Sequence, residues 1–97
     1  SKYKKNTILV IGDMLELGKY KKKLHKEVGE YAKANGIDIV LGFGELTKET
    51  TKAFGKKGIF FDNEEQLKSY LKKNITSKDV ILIKGSRGMK MERFINV

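Results

Sequence analysis

Cysteine and proline are missing from this 97-residue sequence altogether, and it has a single histidine. Without cysteine there is no disulfide framework and no thiolate site. One histidine and scattered carboxylates give no cluster with metal-ligand spacing. No run approaches the ~20 apolar residues that cross a bilayer, and no segment has the pattern of a signal peptide. The expectation is a cytoplasmic protein without a membrane span. Proline-rich, repeated and low-complexity stretches are also lacking, so nothing reads as an internal linker and residues 1–97 are expected to be a single domain.

Arginine is scarce too. The 21 basic and 12 acidic residues give a formal charge of +9, yet only Arg87 and Arg93 are arginine, the residue that fork-like recognition of bases and phosphates draws on. The lysines are dispersed over helix faces except near the start and in "KYKKKLHK", Lys19 to Lys26. A solvated surface is the main reading; a polyanion-binding surface and steering of an anionic ligand stay open.

What is present is a regular alternation. The apolar runs "TILVIG", "DIVLGFG", "GIFF" and "DVILIKG" are each followed by a helical pattern: "KKLHKEVGEYAKANG", "ELTKETTKAFG", "NEEQLKSYLKK" and "MKMERFINV". Strands alternating with helices of this length imply crossover units. The fold class is therefore α/β, a Rossmann-like three-layer sandwich with a mainly parallel sheet. The strands are nearly continuous apolar runs, as expected where helices cover both faces. On the first helix Leu24, Val28, Tyr31 and Ala32 share one face and are expected in the core. Leu46, Thr50, Ala53 and Phe54 do the same for the second helix, and Leu67, Tyr70 and Leu71 for the third, which Asp62 or Asn63 would cap.

Ligands of an open parallel sheet sit beyond the carboxyl ends of its strands. Gly12-Asp13-Met14, Gly42-Phe43-Gly44, Asp62-Asn63 and "KGSRG" (Lys84 to Gly88) all fall on that edge. The last combines two glycines, a hydroxyl, a guanidinium and an ammonium ahead of a helical pattern, which suits an anion or carboxylate; a glycine-rich turn with solvent-facing cations is the alternative. Asp13 has three possible tasks: accepting hydrogen bonds from a ribose diol, holding a metal, or capping the turn after it. The segment "MLELG" leaves Leu15 and Leu17 for packing. His25, beside the apolar face of the first helix, reads first as a packed residue. No GxxxxGK[ST] phosphate loop and no GxGxxG are present, and no nucleophilic triad or carboxylate pair is suggested. The chain reads as able to bind and unable to react alone.

"VIGDMLELG", "LHKEVGEYAKANGIDIVLGFG" and "VILIKGSRGMKMERFI" together resemble the C-terminal domain of the Mur ligases of bacterial peptidoglycan synthesis, within them the D-alanyl-D-alanine-adding branch. The resemblance implies an ATP-dependent amide-forming ligase whose N-terminal and central ATP-binding domains are absent from this chain. Its cofactors would be ATP and Mg2+, neither held tightly by this domain alone. Its partners would be D-alanyl-D-alanine and the UDP-N-acetylmuramoyl tripeptide, with no nucleic acid. By the same resemblance Asp13 lies against the nucleotide ribose, and Ser86, Arg87 and Lys84 position substrate or phosphate. His25 and Lys90 match family positions and would face the cleft. The alternatives are a receiver-like signalling or protein-binding module, using Asp13, Asp62 and Lys84, and a basic nucleic-acid-binding domain.

Overall fold

In a computed structural model, which describes residues 5–85 and 90–94, four strands form one parallel sheet. The order along the chain is β1 (Thr7–Gly12), a 3₁₀ segment (Leu15–Tyr20) kinked at Gly18, α1 (Lys21–Ala34), β2 (Ile39–Phe43), α2 (Thr47–Phe54), β3 (Gly58–Phe61), α3 (Glu64–Asn74), β4 (Val80–Lys84) and a 3₁₀ turn (Met91–Phe94). The sheet order is β3-β2-β1-β4. Ile8 pairs with Ile39 on one side of β1 and with Ile81 on the other.

This order follows from the handedness of crossovers. The steps from β1 to β2 to β3 run in one direction, so α1 and α2 lie on the same face; α3 returns across the sheet to β4 and lies on the other. Alternate residues of β1 and β2 then serve two cores. Ile8, Val10 and Leu41 pack with Leu67 and Leu71 of α3 and with Met91 and Phe94. Leu9, Ile11 and Val40 pack with Ala32 of α1 and Phe54 of α2. Phe94 meets Phe43 edge-on, with ring centroids 5.7 Å apart.

Local chemistry sets the element ends. Asn63 is the cap of α3, its side chain accepting from the Gln66 amide at 3.1 Å, and Glu64 and Glu65 occupy the first turn where the helix dipole favours them. Gly36, at φ 78°, turns the chain after α1. At the start of β1 two carboxylates arrive from its neighbours: Asp38 accepts from the Thr7 amide (2.8 Å) and Asp79 from the Asn6 amide (3.1 Å). Asp79 also accepts from the Thr76 amide at 2.9 Å. These backbone hydrogen bonds hold its carboxyl below the ordinary carboxylate value.

Four expectations are corrected. The inward stripe of α1 is His25, Gly29 and Ala32, while Leu24 and Val28 are half-buried and Tyr31 is 71% exposed. The cause is the approach to α2: a Cβ on Gly29 would run into the Thr50 carbonyl, so the helices pack closest at Gly29 and the stripe that contains it is the one turned inward. The displaced apolar side chains of α1 instead border an open groove of about 630 Å³, shared with Leu9, Leu17, Leu82 and Lys84. Continuous cover of both sheet faces fails at the same place, since Leu82 of β4 is 45% exposed. Leu15 is likewise exposed. After β4 the described residues form a single 3₁₀ turn where a helix was expected.

Candidate functional site

All four strands are parallel, so Gly12, Phe43, Phe61 and Lys84 end on one edge, as the loop positions required. Asp13 follows directly from β1 and is 9% exposed. Its Oδ1 accepts from the Leu46 amide at 2.9 Å, so the carboxylate bridges the end of β1 to the residue that opens α2. Gly44, at φ 124°, passes so close that a Cβ there would lie 2.5 Å from Oδ1. Asp13 thus caps across the sheet and not on its own turn. Its Oδ2 has no hydrogen-bond partner among the described residues, and no fully buried polar side-chain atom among them lacks one, so Oδ2 meets solvent.

His25 does not face the cleft: it is wholly buried. Its Nε2 accepts from the Met14 amide at 3.0 Å, and its Nδ1 lies 2.5 Å from the Lys21 carbonyl. Its own carbonyl accepts from Thr50 Oγ1 at 2.7 Å. The histidine therefore ties the residue after Asp13 to α1, and through Thr50 to α2. Sequence reading missed this role and also that of Thr47, whose Oγ1 donates to the Gly44 carbonyl at 2.6 Å. For His25 the available signal was a polar residue beside an apolar helix face; for Thr47, on a face with Thr50 and Thr51, there was none.

At the other end of the edge, Met91 is wedged over two glycines. A Cβ on Gly12 would lie 2.5 Å from its sulfur, and one on Gly85 2.8 Å from its Cγ. Gly12 and Gly85 are therefore small because Met91 packs there. The contact sets the departure point of the "KGSRG" loop beside the Asp13 segment. Ser86 and Arg87 themselves lie outside the described residues. Lys84 is exposed and borders the apolar groove on the α1 face. Lys90 is exposed at φ 47°, a conformation non-glycine residues seldom take.

Among the described residues the edge carries the fixed carboxylate of Asp13, and the ammonium groups of Lys84 and Lys90 are exposed. Among the described residues no three His, Asp or Glu side chains are grouped to hold a metal ion. A receiver-like acidic pocket is excluded by the strand order. β2 stands between β1 and β3, which puts Asp13 and Asp62 two strand spacings apart, about 9–10 Å. No helix of the described residues is long and apolar enough to cross a membrane.

Residues 1–87 match the family model described as Mur ligase, glutamate ligase domain. The UDP-N-acetylmuramoyl-tripeptide--D-alanyl-D-alanine ligase of Escherichia coli (strain K12) is 42% identical over 90 residues, covering 91% of this chain and 20% of that ligase. The ligase of the same name from Bacillus subtilis (strain 168) is 37% identical over 93 residues, with the same coverage of 91% and 20%. The chain thus spans about a fifth of the length of these relatives. A crystal structure of MurF from Acinetobacter baumannii superposes with a TM-score of 0.74 at 21% identity, over 95% of this chain and 22% of that one, a likeness of fold. With the family model spanning nearly the whole chain, and with the parallel sheet and edge loops in place, the chain belongs to the Mur ligase family and is a C-terminal Mur ligase domain.

Proposed function

We propose that this chain is the domain that closes over nucleotide and incoming dipeptide in an ATP-dependent ligase joining D-alanyl-D-alanine to the UDP-N-acetylmuramoyl tripeptide. The names of the relatives support the substrate pair. The observation that carries the site is the division of labour within Asp13: Oδ1 is anchored by the Leu46 amide, and Oδ2 is presented at the carboxyl edge of the sheet. A carboxylate fixed in this way suits a pair of hydroxyls, which donate to it, and repels phosphate oxygens. The residues present fit the ribose end of ATP. They include no phosphate loop, and the phosphates and Mg2+ belong to the domains outside this chain.

When bound, ATP supplies the phosphoryl group that activates the tripeptide carboxylate for attack by the dipeptide amine. This chain contributes orientation and charge. Asp13 fixes the ribose, while Ser86 and Arg87, with Lys84 and Lys90 nearby, meet the dipeptide carboxylate or the charge that develops on transfer. Domain closure brings these groups together and excludes water, the usual origin of rate in such sites.

Steady-state kinetics of the full-length ligase test this. Asp13→Ala is expected to raise the apparent KM for ATP and to leave that for the dipeptide nearly unchanged. Arg87→Ala is expected to lower kcat/KM for D-alanyl-D-alanine. Loss of one electrostatic donor costs about 2–4 kcal/mol of transition-state binding, or roughly 30- to 1000-fold. Arg87→Lys should restore little, because an ammonium cannot reproduce the bidentate fork. Near-wild-type constants for Arg87→Ala would mean that the loop is only a turn.

A further inference from the structure

We propose that His25 is a positioning residue for the nucleotide site, acting through Asp13. The inference rests on the reading of Asp13 as the ribose ligand and adds the device that aims it. The partners of the ring determine its state. A main-chain N–H can only donate, so Nε2 facing the Met14 amide must be the acceptor; a carbonyl can only accept, so Nδ1 facing Lys21 must carry the proton. The imidazole is the neutral Nδ1–H form.

This arrangement does more than fill space. An apolar residue at position 25 would pack against α2 but would leave the Met14 amide buried without a partner, at the desolvation cost of an orphaned donor. With histidine, the peptide that joins Asp13 to Met14 is tied to α1, and the carboxylate of Asp13 is tied at Oδ1 to Leu46. Main chain and side chain are thus held from two different helices. The direction of Oδ2 is the remaining variable, and these two tethers set it. Thr50 locks the helices to each other through the His25 carbonyl, so the tethers share one rigid frame.

The test uses the full-length ligase with four variants: Asp13→Ala, His25→Asn, His25→Gln and the double Asp13→Ala/His25→Asn. Asparagine can mimic Nδ1 toward Lys21 but cannot reach Met14. Glutamine places an acceptor near Nε2. His25→Asn should raise the KM for ATP roughly 10- to 100-fold, the scale of a misplacement near 1 Å, with the dipeptide KM within twofold. His25→Gln should recover most of the loss. The double variant should be no worse than Asp13→Ala, because the histidine acts only through the aspartate. A nitrogen-15 spectrum of the wild-type ring should show a protonated Nδ1, an unprotonated Nε2 and coupling of Nε2 to the Met14 amide.

Additive effects in the double variant, or a silent His25→Asn beside an effective Asp13→Ala, would overturn the positioning role alone. Equal losses for Asn and Gln, falling on ATP and dipeptide alike, would do the same and leave His25 a packing residue. A silent Asp13→Ala removes the ribose reading itself, and the inference with it.

Discussion

Three side chains show how much a single position can carry. Asp13 stands out in the sequence because a charged residue directly after a buried strand needs a reason; its partner, the Leu46 amide 33 residues away, does not. Tyr31 was expected in the core and is exposed, whereas His25 is packed, as its place beside the apolar face suggested, and not cleft-facing, as the resemblance implied. Hydrophobicity ranks tyrosine as the better core residue, whereas α1 meets α2 most closely at Gly29, on the stripe that carries His25 and not Tyr31. The same contact makes a sharp prediction. Alanine is the better helix former by about 1 kcal/mol, yet Gly29→Ala should destabilise, since overpacking against a backbone carbonyl costs about 1–3 kcal/mol. Each kcal/mol lowers the Tm of a domain this size by roughly 4–8 °C. A thermal melt showing the variant at or above the wild-type Tm would mean the helices can separate freely.

At the level of elements, the four strands and three helices were legible because their periods and stop signals are strong. What lies beside each element was not. The apolar stripe of α1 gives no sign of whether a neighbour covers it, and "MKMERFINV" carries helical spacing although its described part is one 3₁₀ turn wedged by Met91. The start of β1 depends on neighbours of another kind, the carboxylates of Asp38 and Asp79. Because the folded carboxyl of Asp79 is held below the ordinary carboxylate value, its contribution to stability is complete above that value. It is lost as pH falls through the lower, folded value. Asp79→Asn should flatten the acid limb of a stability-against-pH curve from chemical unfolding, with a smaller difference between the two proteins at low pH than at pH 7. An unchanged slope would remove Asp79 as a source of acid sensitivity.

For the molecule as a whole, the family and its edge loops were readable from three short motifs, while the tethering of the Asp13 segment needed the fold. The central place of β1 in the order β3-β2-β1-β4 reaches further than the site. Its register pairs Ile8 with Ile39 and Thr7 with Val80, so the first strand acquires its partners only by closing loops of about 30 and about 70 residues. Such distant pairing slows folding. It also creates a gradient of local opening, because β1 is bonded on both sides and β4 on one, beside a partly bare face. Native-state hydrogen exchange should find the amides of Leu9 to Ile11 the slowest in the chain and the outward amides of β4 among the fastest of the sheet. In that gradient the strand that ends at Asp13 opens last, and β4, with Leu82 half bare, opens ahead of it.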